Sequence, residues 1–575
     1  MSANDHRTAQ AAEARKLAEE TDARIRQQIN EILQRPPPTP ERLEELQEIS
    51  KRFYDMAMER KRKERRRQLT WVAAFVVAAS GACMLTQLLP LGSLAAVAAG
   101  ITITLDPSTT HQTISGFGFA EAFQRAHSIM NLPPKYRTEV LDLLFNTTTG
   151  AGFSILRIGL GSSVDSGGDK MNSPQPSPDK AFVWDKYDSG QVWVAKQAMR
   201  YGVETFIADA WSAPGYMKTN GRDDQGGWLC GVRGEGKACE GSWVGAYAEY
   251  LAKYVKAWWA EGVKIGWVGF LNEPNLIKGY ATMQSDGYQA ADVIPALDLA
   301  LKGSGLDEVK ISCCEGQGWS MARDLLDEIQ DAGVEGSLGL YTTHTYKGTP
   351  PGPDRPLNTT LPVWVTEISP IMDRLGMTQT WYRNHSENEG LRNAINIHEA
   401  LTTGNVSAYI YWIGSGQSGA EAPFIWAPNP KRNRTVAETW AANPEGTQLD
   451  IPEGTVPYTI GSTYWGSAQF SRFIRPGAKR IGFIIEEDGN PAILTSAYRN
   501  PDRSVVVQII NNSDEVVPLS LFPGPLVGRD ELDAVQVWAS DDTRKLTLLG
   551  SLANADFVGG ALSKRSLTTL VFKES

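Results

Sequence analysis

Cysteine is scarce in this sequence, with five residues in 575, and none of the spacings is typical of a metal site. We therefore expect no metal, and no motif in the chain predicts a cofactor. Cys230 and Cys239 flank the glycine-rich loop "CGVRGEGKAC", which they could close as a small disulfide; two free thiols are the alternative. Cys313 and Cys314 are adjacent, so on a strand their side chains would face opposite sides.

Basic residues are in the minority beyond residue 68. Residues 1–68 contain 16 Lys/Arg and 13 Asp/Glu, whereas the remainder contains 40 and 53. The net charge is therefore +3 in the first part and −13 in the second. A surface this acidic argues against nucleic acid, or another polyanion, as the main partner.

Charged residues are absent between Gln68 and Asp106. Within that gap, the apolar run at 69–89 is long enough to cross ~30 Å of hydrocarbon as a helix. The run "RKRKERRR" precedes it, and such basic runs stay on the cytoplasmic side. We expect a single-pass type II membrane protein whose later residues are extracellular. The alternative is a secreted protein, because the segment beginning at Met84 also resembles a cleavable signal with its cleavage site near Ala98.

The amino-terminal arm, residues 1–68, has two helical patterns that are separated by "RPPPTP". Because proline interrupts a helix, we expect a cytosolic stalk that is helical or partly disordered. Signals for N-glycosylation agree with an extracellular location of the later residues. The Asn-x-Ser/Thr acceptors are Asn146, Asn358, Asn384, Asn405, Asn433 and Asn511.

Strand-like and helical patterns alternate beyond residue 110. The chain is too long for one ordinary core, but a βα barrel of ~250 residues with an accessory domain would fit. Eight apolar runs are separated by amphipathic segments such as "SWVGAYAEYLAKYVKAWWAEG". This alternation predicts a (β/α)8 barrel over residues 115–460. The predicted strands are 115–120, 153–161, 203–211, 265–273, 310–316, 338–346, 363–369 and 406–414.

The pattern changes after residue 460 to short alternating runs such as "RSVVVQIINN" and "RSLTTLVF". Alternation of apolar and polar residues is typical of strands with one buried face. We therefore predict an antiparallel β-sandwich over residues 461–575.

Two predicted barrel strands end in glutamate. Glu273 ends the fourth and Glu367 the seventh, and 94 residues separate them. At ~30 residues per βα unit this is three units, so both carboxylates face the same mouth of the barrel. Such a pair is the minimal machinery of glycoside hydrolysis. A separation of ~5 Å would indicate retention of configuration, and one nearer ~9 Å inversion.

Several longer blocks resemble a known family. "GFLNEPN" and "WVTEIS", with "HQTISGFGFAEAFQRA", "ADAWSAPGYMKTNG" and "AQFSRFIRPGAKRIGF", are similar to glycoside hydrolase family 30 of clan A, and most similar to its fungal subfamily 7 xylanases. The resemblance covers residues 101–575. It implies a (β/α)8 barrel with a side β-sandwich, to which the initial strand at 101–114 also belongs. It further implies a retaining mechanism, with Glu273 as acid/base and Glu367 as nucleophile.

The resemblance also implies supporting roles. Asn272 would contact the sugar 2-hydroxyl, although it could instead cap the following turn. Arg157 would hold the nucleophile ionised, with a structural salt bridge as the alternative. His344 and Tyr346 end the sixth strand, and Tyr346 would orient Glu367 by a hydrogen bond; packing at the barrel rim is their alternative.

Substrate contacts are expected from aromatic and basic residues at the mouth. Trp211 and Trp412 end the third and eighth strands, where they would stack on sugar rings or fill the core. Arg125 follows the first strand and could pair with a uronate branch of xylan. Arg432 and Arg434, in the proline-rich eighth loop, are competing candidates to which no role is transferred.

The resulting hypothesis is a retaining hydrolase of β-linked cell-wall polysaccharide, with β-1,4-xylan or glucuronoxylan as substrate and a monomeric catalytic domain. Endo-β-1,6-galactanase is the alternative within the same class, and glucosylceramidase is a more distant one. An inactive carbohydrate-binding wall protein is the alternative from another class. The presence of both Glu273 and Glu367 favours the enzyme.

Overall fold

The structure is a computed structural model that describes residues 101–167, 169–234, 239–352, 357–370, 375–427, 456–486, 491–523, 532–552 and 558–574. The predicted stalk at 1–68, the apolar segment at 69–89 and the proposed cleavage site near residue 98 lie outside these residues. Arg432 and Arg434 also lie outside them.

Eight parallel strands close into a barrel, as the alternation of patterns predicts. Strand β1 (Ile101–Thr113) precedes them and belongs to the side sheet. The barrel strands are β2 (Gly116–Ala120), β3 (Ile155–Leu160), β4 (Thr205–Ala210), β5 (Ile265–Gly269), β6 (Lys310–Gly318), β7 (Leu338–Lys347), β8 (Val363–Glu367) and β9 (Ala408–Ile413). Each overlaps one predicted run, so the predicted barrel is confirmed.

The barrel strands are apolar on both faces because helices cover the outside. Every residue of β3 and of β9 is buried. The helices are α1 (His127–Met130), α2 (Pro134–Phe145), α3 (Gln191–Arg200), α4 (Val244–Ala260), α5 (Gly287–Gly303), α6 (Trp319–Asp331), α7 (Gly390–Thr402) and α8 (Ser462–Ser471). In α4, Tyr247, Leu251, Tyr254 and Trp258 are buried at the helical spacing that the sequence shows.

Strand register brings the polar residues together at the carboxyl ends. Residue 157 of β3 pairs with Ala120 of β2, and His344 of β7 pairs with Glu367 of β8. Strand β5 ends at Gly269, earlier than the predicted strand end at residue 273. The amides of Asn272 and Glu273 nevertheless donate to carbonyls at the neighbouring strands β4 and β6. These hydrogen bonds hold the loop after β5 in place.

The side domain is a nine-stranded sheet in the order β18-β17-β20-β15-β14-β13-β1-β16-β19. Its later strands are β13 (Lys479–Glu486), β14 (Ile493–Arg499), β15 (Val505–Asn511), β16 (Val517–Phe522), β17 (Leu532–Ser540), β18 (Thr547–Leu552), β19 (Val558–Leu562) and β20 (Ser566–Glu574). Three two-residue strands, β10 (Ser415–Gly416), β11 (Ile425–Trp426) and β12 (Thr459–Ile460), form a small separate sheet. Strand β1 pairs with β13 and with β16, so the first strand joins the side domain as the resemblance implies.

Helix α8 lies between the barrel and the side sheet, beyond the predicted boundary at residue 460. Asn393 of α7 donates to the Thr463 carbonyl and to Ser467 on one side of this helix. On the other side, Gln469 donates to the Leu567 carbonyl and accepts from Ser540. The sequence places this segment in the sandwich, whereas its contacts make it a helix shared by both domains.

The described structure contains two disulfides. Cys230 and Cys239 are bonded across their loop, with Cα atoms 5.7 Å apart. Cys313 and Cys314 are bonded to each other. The expectation that these adjacent side chains face opposite sides of a strand is therefore wrong, because a bond between neighbouring sulfurs requires both to lie on the same side.

The prediction of a single-pass membrane protein is contradicted by the part of the chain that the structure describes. Within the described ranges, no helix is both long enough and apolar enough to cross a membrane. The localisation as a single-pass membrane protein is not retained, and the segment on which it depended is among the residues not described. Asn511 does not fit its predicted role as a glycosylation acceptor. It is buried, and its amide donates to the carbonyls of Glu515 and Ser563.

Candidate active site

The two predicted catalytic carboxylates lie together at the barrel mouth. Their side chains are 6% exposed for Glu273 and 7% for Glu367. An oxygen of Glu273 lies within 4.8 Å of an oxygen of Glu367. Two carboxylates this close and this buried have to differ in protonation or be compensated by cations.

The backbone at Glu273 is in the left-handed region, with φ +46°. Glu315, in the carboxyl-terminal half of β6, has φ +55°, and its carbonyl accepts from the Glu273 amide at 3.2 Å. Non-glycine residues in this region cost about 1–3 kcal/mol each and cluster at functional sites. The loop after β5 is thus held in an unfavourable conformation that turns the Glu273 side chain into the mouth.

Arg157 is fully buried at the centre of the carboxylates. Its Nη1 donates to Glu367 Oε2, while Nη2 faces Asp209 Oδ2 at 2.9 Å and Glu315 Oε2 at 3.1 Å and also donates to Asn272 Oδ1. Burial acts to lower the pKa of Arg157, but the carboxylates of Glu315, Glu367 and Asp209 outweigh it and raise that pKa. Arg157 is therefore permanently charged, and its single guanidinium fork contacts acceptors at several strand ends.

The nucleophile candidate, Glu367, is held through both oxygens. Arg157 occupies Oε2, and the Tyr346 hydroxyl donates to Oε1 at 2.9 Å. Burial raises the pKa of Glu367, opposed by His344 and Arg157 and reinforced by Glu273. The surrounding cations and the tyrosine therefore favour the ionised form of a carboxyl group that burial alone would keep neutral.

His344 connects the acid/base candidate to a further carboxylate. Its Nδ1 lies 3.2 Å from Glu273 Oε1, and its Nε2 lies 2.7 Å from Glu315 Oε2. Burial acts to lower the pKa of His344, but Glu367, Glu273 and Glu315 together raise it to about 10. At neutral pH this ring is an imidazolium, which the position of His344 on a strand does not predict.

Two buried carboxylates that the sequence analysis missed complete the network. Burial and the nearby Glu315 raise the pKa of Asp209 to about 8, against the lowering by Arg157. Burial acts to raise the pKa of Glu315, but Arg157 and His344 hold it at about 2. These shifts favour the protonated form of Asp209 and the ionised form of Glu315. The basic side chains of Arg157 and His344 lie against Glu315 and Glu367, which supplies the compensation that buried charges require.

Asp209 and Glu315 could have been found by the signal that identified the catalytic pair. Each follows an apolar strand-like run, in "FIADAW" and "ISCCEG". Asp209 also explains a glycine, because a Cβ on Gly269 would lie 2.3 Å from Asp209 Oδ1. The sequence-based prediction used only the two glutamates at three-unit spacing and assigned no role to Asp209 or Glu315.

Ligand atoms of Glu273, His344 and Glu367 lie close enough to one another to surround a metal ion. Both ring nitrogens of His344 already face carboxylate oxygens. A metal ion bound there would have to take a ring nitrogen away from one of these carboxylates, because a nitrogen that donates a proton has no lone pair to offer a metal.

Comparisons with known proteins agree with this geometry. Residues 115–421, just over half of the chain, match the model for "Glycosyl hydrolase family 59", and residues 477–545 match the "Glycosyl hydrolase family 30 beta sandwich domain". The structure of the catalytic domain of GH30 xylanase C from Talaromyces cellulolyticus is 36% identical, with a TM-score of 0.68, over 82% of this chain and 100% of that one. The chain belongs to glycoside hydrolase family 30.

More distant relatives of this family 30 protein have other names. The endo-1,6-beta-D-glucanase neg1 of Aspergillus fumigatus is 24% identical over 73% of this chain and 83% of its own length. The lysosomal acid glucosylceramidase of Mus musculus is 24% identical over 73% of this chain and 79% of its own. The chain is thus an O-glycosyl hydrolase by family, while its relatives differ in substrate.

An aromatic wall stands beside the carboxylates of this family 30 chain. The rings of Phe123, Trp211 and Trp412 contact one another, with centroids 5.1 Å (Phe123 to Trp211), 6.1 Å (Phe123 to Trp412) and 5.9 Å (Trp211 to Trp412) apart, and Tyr280 packs against the same cluster. Trp211 also covers Arg157, whose Cζ is 4.6 Å from the ring centroid. Both tryptophans are buried, which fits their role as a rigid wall and leaves stacking on a sugar as a prediction.

Tyr280, on the loop that follows Glu273, is a third residue that the sequence analysis missed. Burial raises the pKa of its hydroxyl, and Glu273, Glu367 and Asp169 raise it further. Its position is fixed by the backbone, since the next residue bridges to Asp224. Tyr280 is thus a neutral phenol close to Glu273 and Glu367.

Arg125 lies on the same side of the mouth but is already paired. Its Nη2 lies 2.7 Å from Asp169 Oδ1 and 3.1 Å from Glu421 Oε1. Its side chain is only 10% exposed, and its guanidinium lies against the Phe123 ring. We call these three residues, Arg125, Asp169 and Glu421, the Arg125 cluster. The guanidinium of Arg125 already faces two carboxylates, so the Arg125 cluster is not a free anion-binding site.

Proposed function

We propose that this family 30 glycoside hydrolase cleaves β-1,4-xylan with retention of anomeric configuration. The observation that carries the proposal is the pair Glu273 and Glu367, whose oxygens lie within 4.8 Å. Carboxyl groups of retaining glycosidases are ~5 Å apart, because the second attacks the sugar directly and no water has to fit between them. The different contacts of the two residues support their assignment to different roles.

In the first step, Glu367 attacks the anomeric carbon while Glu273 protonates the departing glycosidic oxygen. Arg157 and Tyr346 leave the nucleophile ionised and aligned, each on one carboxylate oxygen. Two hydrogen bonds also fix the rotation of the carboxyl group, so little freedom is lost when the sugar binds. A glycosyl ester on Glu367 is the product of this step.

In the second step, Glu273 accepts a proton from water, and the oxygen of that water displaces Glu367 from the anomeric carbon. The inversion in each step gives net retention. Asn272, one residue before the acid/base, is held by Arg157 through its Oδ1, which orients its amide group at the mouth. We assign Asn272 to the sugar 2-hydroxyl.

Xylan is favoured as substrate by the similarity to the xylanase from Talaromyces cellulolyticus, at 36% identity over the whole of that domain. The endo-1,6-beta-D-glucanase relative, at 24% identity, supports β-1,6-glucan as a second candidate. Endo-β-1,6-galactan hydrolysis remains an alternative to be assayed. A binding protein without activity is disfavoured, because it would not need Arg157, His344 and Tyr346 around two carboxylates.

The uronate branch of glucuronoxylan is a finer question. A uronate at Arg125 would bring a third carboxylate next to Asp169 and Glu421, which already occupy Nη2. Repulsion among them would oppose its binding. We therefore propose that the xylan main chain, and not the branch, is the recognised element. With Arg125→Ala, activity on branched and unbranched xylan should fall by the same factor, and a selective loss on branched xylan would restore the uronate role.

The test is release of reducing sugar from unbranched xylan, glucuronoxylan, β-1,6-glucan and β-1,6-galactan. Wild type should be active on xylan, and Glu367→Gln should lose at least about 10³-fold, the order of loss on removing a nucleophile. Glu249→Gln, on the exposed face of α4, is the matched control and should retain activity. Proton NMR of the first product should show the β-anomer. Inactivity on xylan, or an initial α-product, would refute the proposal.

A further inference from the structure

His344 faces a carboxylate oxygen at each ring nitrogen. Two proton arrangements satisfy this geometry. In the first, the ring is an imidazolium that donates to Glu273 Oε1 and to Glu315 Oε2, and Glu273 carries a further proton of its own on Oε2, so this arrangement holds one proton more than the second. In the second, the ring is neutral and donates only to Glu315, and its Nδ1 accepts a proton carried on Glu273 Oε1. The acid proton is available to a leaving group only in the first arrangement, because in the second it is held by the ring.

The groups around His344 decide between these arrangements. Besides Glu273 and Glu315, the ring faces Glu367 Oε1 at 3.9 Å from Nδ1. Tyr346, further along the same strand, is neutral, and its ring centroid is 5.8 Å away. Arg157 and Asp209 lie behind Glu315 and Glu367. The ring thus has the carboxyl groups of Glu315 and Glu367 next to it and the guanidinium of Arg157 beyond them.

Glu315 is the group in this set with the firmest hold on the ring. Its Oε2 lies 2.7 Å from His344 Nε2, accepts from Thr366 Oγ1 at 2.7 Å and also faces Arg157 Nη2. The side chain is only 1% exposed, so water does not screen its charge. Its backbone carbonyl also accepts from the Glu273 amide.

We propose that Glu315 is a positioning residue that keeps His344 doubly protonated, so that the ring donates to Oε1 of Glu273 and leaves the acidic proton on Oε2. This inference rests on the proposed role of Glu273 as the acid/base. Glu315 does not touch the substrate. It acts through the ring, by deciding which oxygen of the acid carries the proton.

Glu315→Gln tests this directly, because it removes the charge and keeps the shape. The amide oxygen can still accept from Nε2, but it no longer stabilises a second proton on the ring. Nδ1 then becomes an acceptor and takes the hydrogen bond from protonated Glu273. We expect the chemistry that needs an acid to fail, while the chemistry that does not need one survives.

Aryl β-xylobiosides separate these two cases. The 2,4-dinitrophenyl group departs without a proton, whereas the unsubstituted phenyl group needs the acid. For Glu315→Gln we expect kcat/KM to fall about 100-fold on the phenyl substrate, within the range for general acid catalysis. On the dinitrophenyl substrate it should stay within about threefold. Glu315→Asp, which keeps the charge, should restore most of the phenyl activity.

Glu389→Gln is the matched control, since Glu389 is also a buried carboxylate but accepts from the Arg383 amide away from the mouth. For Glu389→Gln, kcat/KM should change by the same factor on the two substrates. Equal losses on both substrates for Glu315→Gln would overturn the proposal, because they would indicate damage to the fold or to the nucleophile. Failure of Glu315→Asp to restore activity would overturn it as well.

A second measurement does not depend on activity. The chain has six histidines, so 15N-histidine NMR of the full protein is tractable, with His344→Asn to assign the signal. We expect both ring nitrogens of His344 to be protonated from pH 5 to 8 in wild type and only one at pH 8 in Glu315→Gln. A ring that stays doubly protonated in the variant would refute the inference. Inactivity of wild type on xylobiosides would count against the xylan assignment alone.

Discussion

Arg157→Lys is the sharpest test of how the site is organised. The substitution keeps a positive charge but replaces a planar fork by one ammonium. In the structure, Nη1 serves Glu367 while Nη2 serves Asp209, Asn272 and Glu315. One ammonium nitrogen cannot occupy both positions, so either Glu367 or the other three residues lose their donor.

The magnitude follows from that loss. A hydrogen bond to a charged group contributes about 1.5–3 kcal/mol. If the bond to Glu367 is the one lost, kcat/KM on the hydrolysed polysaccharide should fall roughly 10- to 150-fold, at about 1.4 kcal/mol per factor of ten. The direction of the pH effect is also fixed. Arg157 opposes the raised pKa of Glu367, so its weakening raises that pKa further. The nucleophile proposed here, Glu367, must be ionised to attack, and the acidic limb of the pH profile should therefore move to higher pH.

The assay is kcat/KM against pH for both proteins, with Arg475→Lys as the matched control. Arg475 is partly buried and donates to the carbonyls of Gly152 and Ser471, away from the carboxylates. It should alter thermal stability without moving the acidic limb. If Arg157→Lys retains kcat/KM within about threefold and its acidic limb does not move, the bond to Glu367 does not control the nucleophile.

Three further substitutions probe the same network. Tyr346→Phe removes the 2.9 Å hydrogen bond to Glu367 and should lower kcat/KM about 10-fold, with little change in melting temperature; an unchanged kcat/KM would contradict its orienting role. Asp209→Asn should keep kcat/KM within about threefold at pH 6, because burial raises the pKa of Asp209 to about 8 and it is already neutral there; a loss above 30-fold would mean that its charge is needed. Gly269→Ala places a Cβ 2.3 Å from Asp209 Oδ1 and should lower the free energy of unfolding, measured by urea titration, by about 1–3 kcal/mol. An unchanged free energy of unfolding would show that the end of β5 can move to accommodate the methyl group.

These predictions share one physical cause. The mouth contains the basic side chains of Arg157 and His344 beside the carboxyl groups of Glu315 and Glu367, all removed from water. Breaking one member of such a buried set leaves another uncompensated, which costs more than the pair contributed. Effects on activity should therefore be larger than those of exposed ion pairs such as Lys253 with Glu249.

Much of this protein follows from its sequence alone. The eight barrel strands were predictable because parallel strands covered on both faces are apolar along their whole length and alternate with amphipathic helices. Glu273 and Glu367 were predictable from the same pattern, since the carboxyl ends of barrel strands meet at one mouth. The side sheet was recognisable from the period-two alternation after residue 460, although α8 carries no such alternation and was assigned to the wrong element.

The tertiary structure decided the charges of the site. No local pattern indicates that His344 is an imidazolium or that Asp209 is neutral, because a proton's position depends on burial and on carboxylates from other strands. Arg125 shows the same limit. Its partners Asp169 and Glu421 are 44 and 296 residues away, so its charge looks free in the sequence and is matched only when the loops meet. Residue type and spacing determine which groups reach the mouth, and the distances among them in low dielectric determine which carry charge.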